Sequence, residues 1–389
     1  MFVPQAAAYY TFSGANFAAT CYPFRMSLVD CKNLDRKGLE RFAERLGQSA
    51  FRGRQIMAWL YRPGVVEFSQ MSDLAKSFRA LLPEHATISC FAAPVAETSV
   101  DGSVKFAFTL SDGAIIESVL IPEQERNTLC ISTQVGCAME CAFCKTGAMG
   151  FGRNLSPAEM INQLCAVRDY LAQHDDSNFI GPPSLSNIVF MGMGEPLNNL
   201  DNLLTTISIM TDQLGLDLAS RRITVSTCGI VPKLRILGEQ TSVNLAISLH
   251  AVDNDTRTRL MPINRRYPIE ELLAACREYP IQRRKRIMFE YVMLAGVNDG
   301  DGQARELAKL LRGIPCKINL LAFNECEGIG YRASPPERIL AFQEILRKAH
   351  YSVFIRTSRG ADIDAACGQL AGRVRADVGG ATAPLLQNR

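Results

Sequence analysis

Apolar residues recur first at helical spacing, and then the period changes. Between about residues 34 and 82, Leu39, Phe42, Ala43 and Leu46 share one helix face; Ile56, Met57 and Leu60 mark a second helix within Arg52–Tyr61; Leu74, Phe78 and Leu81 mark a third. From 87 to 121 the pattern is that of strands. Lys105–Leu110 and Ala114–Ile121 flank Ser111-Asp112-Gly113, and Asp-Gly between apolar runs signals a hairpin. From about 127 the two periods alternate. Strands are predicted at Thr128–Thr133, Asn187–Met191, Arg222–Thr227, Asn244–Leu249, Arg286–Met293, Lys317–Ala322 and Ser352–Ile355. Helices are predicted between them at Pro157–Leu171, Asn199–Gln213, Pro232–Gly238, Ile269–Glu278, Gly302–Leu311 and Pro336–Lys348. Repeated βα units imply a parallel sheet with helices outside. About six units, fewer than the eight of a closed barrel, predict an α/β fold: a partial (βα)6 TIM-like barrel with a small helical N-terminal domain.

This pattern divides the chain. Residues 1–25 are apolar without a basic leading region, and charged periodic sequence begins after Met26, so 1–25 reads as a non-native extension with Met26 as the natural start. Residues 26–85 form the helical domain, 86–126 a β-hairpin linker, 127–372 the barrel, and 373–389 an Ala/Gly/Arg-rich tail expected to fray. The helical domain carries Arg36, Lys37, Arg41, Arg45, Arg52, Arg54, Lys76 and Arg79, which read either as a solvated face or as a surface for a polyanion.

At 389 residues, 47% hydrophobic and 21% charged, the composition is that of an ordinary globular protein. The net charge of +3 leaves any nucleic-acid affinity to local patches. No apolar run approaches the roughly 20 residues of a membrane span, which predicts no membrane partner. Thirteen cysteines, odd in number and scattered, are not a secreted disulfide framework and point to a reducing cytoplasm.

Three of those cysteines carry the strongest chemical signal. Cys137, Cys141 and Cys144 have the spacing C-x3-C-x2-C, so three thiolates can hold one corner of a 4Fe–4S cubane, which usually takes four. The iron left without a protein ligand is an open site. A zinc site with Cys130 as fourth ligand is the rival, and buried apolar thiols are the bland reading. Zinc sites usually add a distant second Cys/His pair, whereas His85, His174, His250 and His350 are scattered. The second predicted barrel strand runs into Met191-Gly-Met-Gly-Glu-Pro196, where glycine lets a ligand approach the backbone and Glu195 can meet an ammonium. Ser226 ends the third strand and Ser248-Leu249-His250 the fourth, at the rim where such folds carry catalytic groups. Cys130 and Cys367 read as core residues by default and as nucleophilic thiols otherwise.

From about residue 34 to 372 the chain resembles the RlmN/Cfr family of radical S-adenosylmethionine (SAM) RNA methyltransferases. The resemblance rests on the cysteine run, Gly192–Leu197, Arg221–Thr227, Ala246–Ala251, Pro262–Glu270, Pro315–Leu320 and the run from Arg359 through Asp362-Ile-Asp-Ala-Ala-Cys367 to Leu370. It implies one 4Fe–4S cluster on Cys137, Cys141 and Cys144, with SAM contacts at Gly194, Glu195, Ser226, Ser248, Leu249, His250 and Asn324. Cys367 takes the place of the family's methyl-carrying cysteine, Cys130 that of its second catalytic cysteine, and Glu117 that of a proton acceptor. The implied chemistry uses two SAM molecules per turnover. One methylates Cys367. The second, cleaved reductively, yields the radical that takes hydrogen from that methyl group. The resulting carbon adds to adenine C2, and Cys130 releases the product, leaving a Cys130–Cys367 disulfide for a reductant to reset.

The resemblance further implies 23S rRNA (peptidyl-transferase centre) and tRNA (anticodon-loop adenine) as substrates, a flavodoxin-like electron donor, and a monomer. Leu197 after the Gly-Met-Gly-Glu-Pro run and Ser358-Arg359-Gly360 favour the C2-methylating branch; methylation of adenine C8 is the alternative within the family. Arg221, Arg222, Arg265, Arg266, the run 283–286, Arg356 and Arg359 are candidate phosphate contacts. A non-enzymatic iron–sulfur protein would have no use for Cys367, and a plain RNA-binding module would leave all the cysteines unexplained.

Overall fold

The computed structural model describes residues 28–372 apart from 63, 174–181, 183 and 283–284. The proposed start at Met26, the extension 1–25, the tail 373–389, His174 and Arg283-Arg284 therefore lie outside the described residues.

The helical region forms as its apolar stripes require. Helices Arg36–Arg45, Ala50–Tyr61 and Lys76–His85 bury Leu39, Phe42, Ile56, Met57, Leu60, Phe78 and Leu82. Asp35 caps the first, its Oδ1 accepting from the Gly38 N–H at 2.8 Å. The first two helices cross closely enough that a Cβ on Gly53 would lie 2.4 Å from the Leu39 carbonyl oxygen.

Seven parallel strands lie side by side in chain order: Arg126–Cys130, Asn187–Phe190, Ile223–Thr227, Asn244–Ser248, Ile287–Met293, Cys316–Ala322 and Val353–Arg356. A helical crossover joins each to the next. Because every strand neighbours its sequence neighbour, the sheet curls as a partial barrel instead of reversing as a doubly wound sheet does. The sheet does not stop at the barrel. Val95–Thr98, Val104–Thr109 and Ile115–Glu123 add three antiparallel strands at its first edge. The stretch expected as a hairpin linker is thus part of the main sheet. Phe106, Phe108, Ile116, Val119 and Leu120 are buried there, and a free linker would leave them in water. No helix among the described residues is long and apolar enough to cross a membrane.

Parallel strands bring their C-terminal ends to one rim. The segments 131–150, 191–197, 226–230, 248–251 and 323–324 leave the sheet there, and the segment 360–372 packs against them.

Candidate functional site

Two cavities meet at this rim. The first, about 180 Å³, is lined by Cys137, Cys141, Cys144, Gly194, Glu195, Ser226, Ser248, His250, Glu290, Asn324 and Cys367. The second, about 820 Å³, runs into the barrel and holds Cys130, Cys367, Arg221, Arg222, Lys317, Asn319, Arg356 and Arg359. Cys367 faces both.

The cysteine loop is fastened at several points. Its base is a two-stranded ribbon, Gln134–Gly136 with Phe151–Asn154. The Cys137 N–H donates to the Gly150 carbonyl at 2.8 Å, and the Ala142 N–H to the Leu260 carbonyl at 2.9 Å. Burial raises all three thiol pKa values, Cys137 to about 12, and the charges of the neighbouring thiols add to it in Cys137 and Cys141. Three such thiols ionise together only beside a cation, which metal binding supplies. Among the described residues no group of three or more His, Cys, Asp or Glu side chains is gathered to hold a single metal ion. Cys137, Cys141 and Cys144 all line this one cavity, a three-thiolate donor set of the kind that holds iron–sulfur clusters.

The rest of the first cavity sets a few pre-organised polar groups among apolar walls. Gly194 has φ +101°, and its N-terminal neighbours Gly192 and Met193 thread beside Ser132. Glu195 is buried; its carboxylate accepts from Thr227 Oγ1 at 2.6 Å, the Cys228 N–H at 2.9 Å and the Leu197 N–H at 3.0 Å. Burial raises its pKa against those bonds, and a cation bound in this pocket would offset that rise and favour the carboxylate. His250 is held at φ +59°, with Nδ1 accepting the Val292 N–H at 3.0 Å and the ring edge-on to Phe143. Burial lowers its pKa to about 3, so at neutral pH it is uncharged, with its proton on Nε2. Together a buried carboxylate, serines, an imidazole N–H and an amide, set among apolar walls, suit a ligand that joins a zwitterionic amino acid to a cationic sulfonium and a flat base, as SAM does.

Leu249 is the exception among the expected contacts. It does not line the cavity: its N–H donates to the Glu290 carbonyl and its carbonyl accepts from Arg257. Asn324 donates from Nδ2 to the Cys367 carbonyl at 3.3 Å, fixing the loop that carries that thiol. The same loop is pinned to the cysteine run by the Lys145 N–H on the Gly368 carbonyl at 2.7 Å and by Thr146 Oγ1 on the Leu370 carbonyl at 2.7 Å.

Cys130 is buried at the end of the first parallel strand and Cys367 is exposed; both are free thiols, and the expected disulfide is not formed. Burial pushes the Cys130 thiol up to about 12. Arg356 lies within electrostatic reach of both, and the charge of Cys367 raises its pKa. Glu117 is not brought to either cavity. It is buried behind the Cys367 segment, its Oε2 accepting the Ala371 N–H at 2.7 Å and the Gly372 N–H at 2.9 Å, with Lys105 Nζ 3.9 Å from Oε1. Arg265 and Arg266 lie outside both linings, whereas Arg221, Arg222, Arg356 and Arg359 rim the wide cavity. Of the helical-region cations, Arg36 pairs with Asp212 at 2.9 Å and Arg54 with Glu40 at 2.9 Å.

Sequence reasoning missed Gln134, Arg257 and Glu290. Gln134 ties the two ligand loops together, Oε1 accepting the Glu195 N–H at 2.8 Å and Nε2 reaching Asn154 Oδ1 at 2.7 Å. Glu290 faces the first cavity with its pKa raised by burial and Oε1 accepting from Asn319. Its signal, an acidic residue inside an apolar strand, was present in Ile287–Met293.

Comparison with known proteins agrees with this geometry. Residues 29–88 match the sequence model of the Ribosomal RNA large subunit methyltransferase N-terminal domain, and residues 131–308 that of the Radical SAM superfamily. A Desulfotalea psychrophila protein named dual-specificity RNA methyltransferase RlmN is 63% identical over 343 residues, covering 88% of this chain and 95% of the relative. A Geobacter sulfurreducens protein of the same name is 49% identical, covering 90% and 94%. The crystal structure of a radical SAM methyltransferase from Sphaerobacter thermophilus superposes with a TM-score of 0.81 at 41% identity, covering 89% of this chain and all of that one.

Proposed function

Since the chain belongs to the RlmN family of radical SAM RNA methyltransferases, we propose that it methylates C2 of one adenine in 23S rRNA and of an anticodon-loop adenine in tRNA, through a methyl group carried on Cys367. The observation that carries this reading is the position of Cys367 on the wall shared by the two cavities, with Cys130 in the wider one. A carrier must be loaded on one side and unloaded on the other.

Cys137, Cys141 and Cys144 hold the cluster, and Glu195, Ser226, Ser248, His250 and Asn324 surround SAM. When bound, these two groups supply one-electron chemistry that activates a methyl carbon. The chain's own residues do the rest. Cys367 accepts a methyl group on sulfur and keeps the carbon at the mouth of the RNA cavity, with Asn324 holding its backbone. Adenine C2 is an electron-poor ring carbon and a poor nucleophile, so a carbon delivered from a fixed sulfur replaces polar transfer. Arg221, Arg222, Arg356 and Arg359 meet phosphates around the wide cavity, and the base is extruded to enter it. Once the C2 proton has left, the Cys130 thiolate attacks the Cys367 sulfur; the electron pair of the broken sulfur–carbon bond goes to the methylene carbon, which takes a proton to become the product's methyl group, and a reductant reopens the disulfide that forms. Glu117 is the proposed acceptor of the C2 proton; its carboxylate here accepts from the Ala371 and Gly372 N–H groups beside the Cys367 segment.

The residue ranges of the sequence reading are proposed as its domains, with 86–126 joined to the barrel sheet and 26–85 gripping RNA by shape. Two SAM molecules per turnover, a flavodoxin-like donor, a monomer and a cytoplasmic site complete the proposal. The test is anaerobic incubation of the reconstituted protein with SAM, reductant and rRNA, then nucleoside chromatography against standards. A product co-eluting with 2-methyladenosine supports the reading; 8-methyladenosine, or no methylated adenosine, overturns it.

A further inference from the structure

Arg257 is the largest fully buried side chain among the described residues. Its guanidinium makes five hydrogen bonds: Nε to the Leu249 carbonyl at 3.2 Å, Nη1 to Asn264 Oδ1 at 2.9 Å and the Tyr267 carbonyl at 3.4 Å, and Nη2 to the Cys228 carbonyl at 2.8 Å and the Ser248 carbonyl at 3.3 Å. Every one of these partners is neutral. A guanidinium does not shed its proton in a protein, and buried charges are costly unless paired with an opposite charge. The bonds satisfy its donors but leave its charge uncompensated.

The surroundings show where an anion belongs. Arg257 sits on the short helix Asn254–Leu260, whose last carbonyl accepts the Ala142 N–H beside Cys141 at 2.9 Å. The Cys228 carbonyl that it grips belongs to a residue whose sulfur lies 3.3 Å from Met139 Sδ in the same cysteine loop. Three thiolates outweigh the charge of an oxidised cubane core, and reduction adds a further negative charge.

Building on the cluster reading above, we propose that Arg257 is the fixed counter-charge of the cluster site, a positioning residue that favours the reduced cluster while holding the strand ends that frame SAM. A buried cation stabilises the more negative state more, because Coulomb energy in a poorly screened interior scales with the product of the charges. Burial and nearby charge are among the levers that set such potentials.

The test is an anaerobic, spectroscopically monitored redox titration of the reconstituted full chain beside Arg257→Gln, Arg257→Lys and Cys276→Asp, with iron content measured on each. Cys276 is buried on the helix Ile269–Glu278, within electrostatic reach of Arg257. Cys276 is not among the groups Arg257 bonds, so an ionised aspartate there adds a negative charge without replacing any of those five partners. Arg257→Gln shifts the reduction equilibrium at least tenfold toward the oxidised cluster, about 59 mV for one electron, with iron content unchanged. Cys276→Asp shifts it the same way, and Arg257→Lys stays within threefold of wild type. If Arg257→Gln does not fold, Cys276→Asp decides alone. Folded, iron-replete Arg257→Gln and Cys276→Asp proteins that titrate within threefold of wild type overturn the proposal. So does an Arg257→Lys protein shifted as far as Arg257→Gln, since geometry and not charge is then responsible. A wild type that binds no iron fails the cluster reading itself, a separate result.

Discussion

Replacing Gly194 by alanine tests whether the loop after the second parallel strand is built to fit. Its φ of +101° is one that L side chains rarely adopt, and a Cβ there would lie 2.5 Å from Gln134 Cβ, 2.6 Å from its Cγ and 2.9 Å from its backbone nitrogen. None of these is the free end of a side chain, so Gln134 itself must move. Gln134 is buried, and it holds both the Glu195 N–H and Asn154. The backbone strain costs about 1–3 kcal/mol, overpacking about 1–3 kcal/mol, and each weakened hydrogen bond about 0.5–1.5 kcal/mol. These terms overlap, and a net loss of about 3–5 kcal/mol is expected, a large part of the roughly 5–15 kcal/mol that stabilises most proteins. Gly113→Ala is the control. Its φ is +82° with nothing within 4 Å of the added carbon, so it carries only backbone strain. Thermal unfolding by circular dichroism should place Gly194→Ala roughly 4–7 °C below wild type and well below Gly113→Ala. SAM binding by equilibrium dialysis should weaken more than about tenfold. A Gly194→Ala protein that melts with Gly113→Ala and binds SAM normally refutes the close fit and the role of this loop.

Cys141→Ala should lose most of its iron on reconstitution and with it reductive cleavage of SAM; retained iron and a wild-type yield of 5′-deoxyadenosine would contradict the ligand assignment. Asn324→Ala should keep the cluster but lower Cys367 methylation about tenfold, through a lost hydrogen bond of about 1 kcal/mol and the mobility it frees; peptide mass spectrometry reads this directly. For His250 the sign follows from its depressed pKa, about 3 against 6.5. Below pH 6.5 the unfolded chain takes up a proton that the folded protein refuses. Stability therefore falls as pH drops from 6.5 toward 3, by up to about 1.4 kcal/mol per unit. His250→Asn, with a side chain tolerant of positive φ, should flatten that slope in urea titrations; an unchanged slope would assign it to other groups.

The barrel was legible because each strand and helix announces its own period. Ile269–Glu278 and Pro336–Lys348 fall where the pattern puts them. Most of the expected cluster and SAM residues line one cavity, and they could be picked out because reactive residue types cluster in short runs at strand ends. What stayed hidden is what long-range packing decides. The segment 86–126 reads as a linker since its strands are antiparallel and local, yet its burial depends on an edge strand that starts at Arg126. The ribbon Gln134–Gly136 with Phe151–Asn154 is too short for any period to show. Arg257 looks like one more surface charge in Asn254–Leu260, and only the carbonyls of three other segments reveal it as buried. Glu117 resembles an active-site acid by position, while its carboxylate is occupied by the backbone of Ala371 and Gly372, more than 250 residues away in sequence.

The claim that Cys367 delivers carbon and Cys130 releases it is tested most directly by Cys130→Ala under turnover conditions. Without the second thiol, Cys367, its sulfur bonded through the methylene to the base, has no partner to displace it. The variant should accumulate protein crosslinked to RNA, shifted on a denaturing gel, collapsing on nuclease digestion and leaving an adenosine-sized remnant on the Cys367 peptide. The double variant Cys130→Ala/Cys367→Ala should show no crosslink. A Cys130→Ala protein that turns over at the wild-type rate with no trapped RNA would contradict the account.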